Sequence, residues 1–191
     1  MSKNKSVFGP IVRTSFLIML LCGVIYPVVT TGIAQVLMPE KAGGSLLYDE
    51  DGKEMGAELI GQNFTSENYF HGRVSSIEYD AANSGSGNYA PSNEEMIERT
   101  KLAVEKWKQV HPDNNAVPID LVTNSASGLD PHISPEGAYA QTARVSLATG
   151  ISQTDLNGLI EKNTQDRELG LFGEPRVNVL LLNVDLNQLI K

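Results

Sequence analysis

Apolar positions crowd the front of this chain and thin out behind it. From Phe16 to Met38 it reads FLIMLLCGVIYPVVTTGIAQVLM, 23 residues without a charge between Arg13 and Glu40. About 20 apolar residues cross a bilayer core as a helix, so the pattern predicts one span. Pro27 removes a backbone hydrogen bond and crowds the carbonyl of Gly23, which predicts a local disturbance of that helix near Gly23. Gly23, Thr30, Thr31 and Gly32 offer either a surface for neighbouring helices or simply a tolerated proline site.

Behind the span the apolar spacing becomes periodic in short stretches. Leu46–Tyr48 and Met55–Ile60 flank an Asp-Gly turn at Asp51-Gly52 and predict a hairpin. The stretch from Leu59 to Ser76 gathers Phe64, Tyr69 and Phe70 among glycines and asparagines and reads as irregular chain around an aromatic cluster. Ser84–Pro91 is a loop. Ser92 with Glu95 forms a capping box ahead of Met96, Thr100, Ala103, Trp107 and Val110, a helical repeat that stops at His111-Pro112. Val117–Thr123 reads as a strand. Ser134 as cap, Pro135 at the first helical position and Glu136 in the first turn start a helix running to Thr149 and stopped by Gly150. Ser152 with Asp155 starts another, and Arg176–Asn183 reads as a strand. Mixed helices and strands make an α+β fold: residues 1–15 as a leading segment, 16–38 as the span, and 39–191 as one soluble domain.

Charge assigns sides. Lys3, Lys5 and Arg13 precede the span without an acid, so the positive-inside rule predicts a cytoplasmic N-terminus and an extracytoplasmic 39–191, in a single-pass protein of the cell membrane. The rival is a cleaved secretory signal ending at Gly32-Ile33-Ala34. Against it, the apolar run is longer than an h-region and continues through Val36, Leu37 and Met38. All 23 acids follow the span against 12 of the 15 bases, a formal charge of −11. Such a surface disfavours nucleic acid and draws cations, or merely keeps the domain soluble. The single cysteine, Cys22, lies in the span, so no internal disulfide forms.

Two stretches invite chemistry. Asp130 and His132 sit between prolines in SGLDPHISP, but neither a metal motif nor a GxSxG turn accompanies them, and the cap and prolines explain most of the stretch. Tyr69, Phe70, His71 and Arg73 form either an aromatic–cation packing unit or a docking patch. Gln141 and Arg144 fall one turn apart on a predicted helix, facing either a ligand or nearby backbone. The residues alone leave open a membrane-anchored extracytoplasmic enzyme or sensor using His132 and Asp130.

Six stretches in order, YPVVTT, LIGQ, YFHGR, SGLDPHISP, Gln141-x-x-Arg-Val and GEPRVN, resemble the C subunit of the Kdp potassium-transporting P-type ATPase over nearly the whole chain. Val74 after HGR, Ser86 within the Gly85–Asn88 loop and Gly137 depart from that family's pattern. The resemblance implies an uncleaved anchor and an accessory, non-catalytic subunit beside two partners: a channel-like potassium-translocating subunit and a P-type ATP-hydrolysing one. It makes SGLDPHISP a family signature that places Asp130 and His132 in a rigid loop available to a neighbouring subunit, which joins them to Tyr69, Phe70, His71 and Arg73 as candidate partner-docking residues. It also implies a catalytic-chaperone role that raises ATP affinity through a segment like Gln141 to Val145, with Gln141 and Arg144 as nucleotide contacts. ATP is cytoplasmic, and the predicted topology puts that segment outside.

Overall fold

The computed structural model describes residues 7–49, 51–111 and 116–190. Lys3, Lys5, Glu50 of the hairpin turn and Pro112 lie outside them. The chain divides into two compact units, one up to Met55 and one from Gly56 onward, so the boundary falls inside the hairpin rather than at the end of the span.

In the first unit a continuous 30-residue apolar helix runs from Phe8 to Leu37 with none of its length buried, long and apolar enough to cross a membrane. It begins eight residues before the charge-free stretch and carries Arg13 within it. It is α1 (Phe8–Leu20), a π turn at Leu21–Ile25, and α2 (Tyr26–Leu37). The π turn is the form the predicted disturbance takes. Pro27 donates nothing and presses on the Gly23 carbonyl, so the hydrogen-bond ladder widens by one residue there. Thr30 Oγ1 donates to the carbonyls of Tyr26 at 2.8 Å and Pro27 at 3.1 Å, so its hydroxyl is satisfied within the helix just past the π turn. After a one-turn α3 (Pro39–Ala42), β1 (Leu46–Tyr48) and β2 (Glu54–Ala57) pair as the predicted hairpin. The Asp49 carboxylate accepts from the Lys53 amide at 2.8 Å and closes the turn.

The second unit starts with irregular chain through Pro91, as read from the sequence, and then α4 (Glu94–Val110). Its cap is Asn93, whose side chain accepts from the Met96 amide at 2.9 Å, and not Ser92. A turn from Ala90 to Asn93 delays helix entry by one residue, and Glu95 takes the Tyr89 hydroxyl instead of closing a capping box. Val117–Thr123 is no strand but a single helical turn, α5 (Ile119–Val122). Among the described residues no strand pairs with it, a lone bridge from Val74 reaching only Asn124 beyond its end, and its Asp120 carboxylate accepts from the Ser134 amide at 2.6 Å, bracing the next element.

β3 (His132–Ile133) leads into α6 (Pro135–Tyr139), capped as predicted by Ser134, whose hydroxyl accepts from Gly137 N at 2.9 Å. The helix expected to continue to Thr149 breaks at Ala140-Gln141 and resumes as α7 (Thr142–Thr149). Gly150 ends α7 with φ 76°, left-handed backbone that glycine takes without strain. Ser152 caps α8 (Gln153–Asn163) as read.

β4 (Thr164–Gln165) and β5 (Arg176–Asn178) follow, then α9 (Val179–Ile190). The strand expected to reach Asn183 thus stops at Asn178, where its side chain turns back to accept from Leu181 N at 3.1 Å. From there Val179, Leu182, Asn183 and Leu186 recur at helical spacing and are all buried. A short apolar run does not by itself distinguish strand from buried helix. The three-stranded sheet has the order β3–β5–β4, antiparallel throughout, with Ile133 opposite Val177 and Thr164 opposite Val177 on its other edge. The core of this unit lies where β5, α7, α8 and α9 meet, around Val145, Leu156, Ile160, Val177, Leu182 and Leu186.

Candidate functional site

Among the described residues the stretch Glu67–Arg73 has no strand partner, yet its backbone is held at consecutive residues by side-chain amides. Asn183 accepts from Phe70 N and donates to Phe70 O, both at 2.9 Å. Gln141 accepts from His71 N at 2.8 Å and donates to His71 O at 3.1 Å. Each amide offers a donor and an acceptor side by side, as a neighbouring strand would. Gln141 and Asn183 are each 1% exposed, so these pairings satisfy groups that have no water to turn to.

Arg144 completes the clamp. Its Nη1 donates to Glu67 O at 2.6 Å, and its Nη2 donates to Tyr69 O at 2.9 Å and to Gln141 Oε1 at 2.8 Å. Burial pulls the Arg144 guanidinium below the usual arginine value, and the Glu67 carboxylate, 3.5 Å from Nη1, works against that loss. Gln141 and Arg144 therefore face the same side, as their spacing predicts, and what they meet is backbone some 70 residues away in sequence. Phe70 turns inward and is fully buried in the core, while the Tyr69 hydroxyl donates to Asn187 at 3.0 Å.

Arg73 leaves the clamp for a second group. Its Nη1 lies 3.2 Å from Asp130 Oδ2, and the other carboxylate oxygen accepts from the His132 amide at 3.0 Å with His132 Nδ1 at 3.4 Å. Burial pushes the Asp130 carboxyl up, but hydrogen bonds from the His132 side chain and backbone, with the Arg73 charge, prevail and hold it below the usual value. The Tyr79 hydroxyl donates to Arg73 O, and its own pKa is pushed up to about 12 by burial and the Asp130 charge. Side chains in this trio remain about a quarter exposed, at 27% for Arg73, 28% for Asp130 and 22% for His132. A charge-paired carboxylate already held by its own chain is a poor general base. Among the described residues, no group of three or more His, Cys, Asp or Glu side chains is placed to hold a metal ion.

Between the clamp and α4 lies a cavity of about 270 Å³, walled by Phe64, His71, Arg73, Trp107 and His111 among others. The Trp107 and His111 rings stack at 3.8 Å with planes 15° apart. Burial, reinforced by the Arg144 charge, lowers both the His71 and the His111 pKa and so favours the neutral form of both rings.

The structure thus joins two of the sequence-read groups through one segment: Gln141 and Arg144 grip residues 67–71, and Arg73, two positions on, reaches Asp130. Sequence reasoning missed Asn183, Tyr79 and Gly61. Gly61 passes so close that an added Cβ would sit 2.7 Å from Asp130 O and 2.8 Å from Tyr79 Cε1. The only signal for Asn183 was a polar residue inside an apolar run, which the strand reading hid.

Residues 8–188 match the family described as KdpC, the K+-transporting ATPase c chain. Potassium-transporting ATPase KdpC subunits of Bacillus cereus strain Q1, Bacillus anthracis and Bacillus thuringiensis subsp. konkukian are 52%, 51% and 51% identical to it, each alignment covering all of both chains. With a match spanning both units and every residue of the clamp and the Asp130 group, the chain belongs to the KdpC family of K+-transporting ATPase subunits.

Proposed function

We propose that this chain is a membrane-anchored accessory subunit of an ATP-driven potassium-uptake complex, holding that complex together without performing a chemical step of its own. The observation that carries the reading is the fate of its most reactive-looking side chains. Gln141 and Arg144 bind the backbone of residues 67–71 and each other, and Asp130 binds the His132 amide and Arg73, which suits a rigid docking body better than a catalyst. Its partners are the channel-like potassium-translocating subunit and the P-type subunit that hydrolyses ATP. The exposed N-terminal helix, with a π turn at mid-length and small or hydroxyl-bearing residues at Gly23, Thr30, Thr31 and Gly32, is suited to packing against their spans.

The same reading sets the N-terminus in the cytoplasm and the second unit outside, because basic residues precede the span and acids follow it. The catalytic-chaperone effect on ATP affinity then acts through the assembled complex and not by nucleotide contact at Gln141 and Arg144. Tyr69, His71, Arg73, Asp130 and His132 are left as a partly exposed docking patch framed by the clamp.

Mild-detergent extraction of the tagged chain tests the reading. It should bring down two larger, many-span proteins with ATPase activity, and recovery of the chain alone would sink it. For topology, Ser45→Cys should react with a membrane-impermeant maleimide in intact cells or protoplasts, and protection there would reverse the assigned sides.

A further inference from the structure

The hairpin between β4 and β5 ends in an apolar tip. Leu169 is 88% exposed, Leu171 76% and Phe172 64%, three large hydrophobic side chains in four residues. The tip is a built feature. Glu168 and Phe172 exchange both backbone hydrogen bonds at 2.9 Å, and Leu171 N donates to Glu168 O at 3.1 Å. Leu169 at φ 54°, Gly170 at φ 72° and Gly173 at φ 76° turn the chain tightly around it, and a leucine held in left-handed backbone is unusual. Ion pairs close its base, Arg167 to Glu174 at 2.5 Å and Arg176 to Glu168 at 2.9 Å. Below them Val177 of β5 is fully buried, so the hairpin is anchored in the core. Apolar side chains at the centre and charged ones around them form the plan of a protein-binding hot spot with a polar rim.

Charge narrows what covers it. Asp166 to Arg176 carries three acids against two bases and no lysine, whereas segments that settle on anionic lipid are basic. A second copy of this chain would bring one −11 domain against another, which opposes self-association. An apolar cleft on a different polypeptide, with a rim that is not strongly acidic, fits both constraints. We propose that the Leu169–Phe172 tip is a plug that seats in such a cleft on another subunit of the potassium-transporting complex. This rests on the accessory-subunit reading and gives it a contact surface.

The test uses the whole complex extracted in mild detergent, carrying either the unaltered chain or Leu171→Ser with Phe172→Ser. Both side chains are exposed, so the double variant should fold and melt as the unaltered chain does, while recovery of the larger subunits falls about tenfold or more, as for an interface anchor. In parallel, a photo-crosslinking benzoylphenylalanine at position 172 should capture one of those larger subunits. Capture of a second copy or of lipid alone, or full subunit recovery with the double variant, overturns the plug. Failure of the unaltered chain to recover any partner overturns the accessory-subunit reading itself, so the two failures are distinguishable.

Discussion

The Phe8–Leu37 helix and the Gly56–Ile190 unit answer the same problem, what to do with backbone polar groups away from water, in opposite ways. The helix satisfies almost all of them by its own repeat, so its side chains are free to be apolar on every face, and the one break at Gly23–Pro27 is confined to a single π turn. The other unit runs some 35 residues of irregular chain between Ala57 and α4. It must import partners from far along the sequence: Asn183 for Phe70, Gln141 for His71, Arg144 for Glu67 and Tyr69. Where backbone is regular, composition suffices. Where it is irregular, single polar side chains become indispensable.

The comparison is broken most severely at Asn183. Asn183→Leu keeps the volume but leaves both Phe70 backbone groups buried and unpaired, at a cost of about 3 kcal/mol. Urea unfolding followed by the fluorescence of Trp107, the chain's only tryptophan, should show the lower midpoint, and an unchanged midpoint would remove the clamp from the account. Gly61→Ala comes next, since its methyl would collide with the Asp130 carbonyl and the Tyr79 ring; about 1–3 kcal/mol is expected. The same unfolding curve reads it, and Asp130→Asn combined with it should not recover the loss, because the clash is with backbone.

A smaller effect is a pH slope. The lowered His111 pKa means the unfolded chain binds a proton that the folded chain resists, so this contribution to stability is complete above about pH 6.5 and is lost as pH falls through the lowered folded value. His111→Phe keeps a ring against Trp107 and should flatten part of the decline in stability between pH 7 and 5, His71 supplying the remainder. A slope unaltered by the substitution would assign it elsewhere. The smallest effect sharpens the comparison from the other side. Pro27→Ala should let the π turn close into regular helix while moving the unfolding midpoint of the second unit by less than about 0.5 kcal/mol. A larger shift would mean that the span and the domain share stability.

Much of this protein is determined by short-range pattern. The apolar run, the Asp-Gly turn, and the caps at Ser134 and Ser152 are each settled by neighbours within a few residues; the turn and the two caps stand where the sequence places them, and the apolar run lies in a helix that starts eight residues before it. Tertiary structure decided the rest. Val117–Thr123 and Val179–Asn183 carry β-prone residues, but among the described residues the first is paired with no strand and the second has a core to line, so both become helix. The pairing of Asn183 with Phe70 spans 113 positions and that of Gln141 with His71 spans 70. An amide in a sequence carries no mark of which distant backbone it will meet, because that choice is made only when packing α7 and α9 around Phe70 leaves those backbone groups without water.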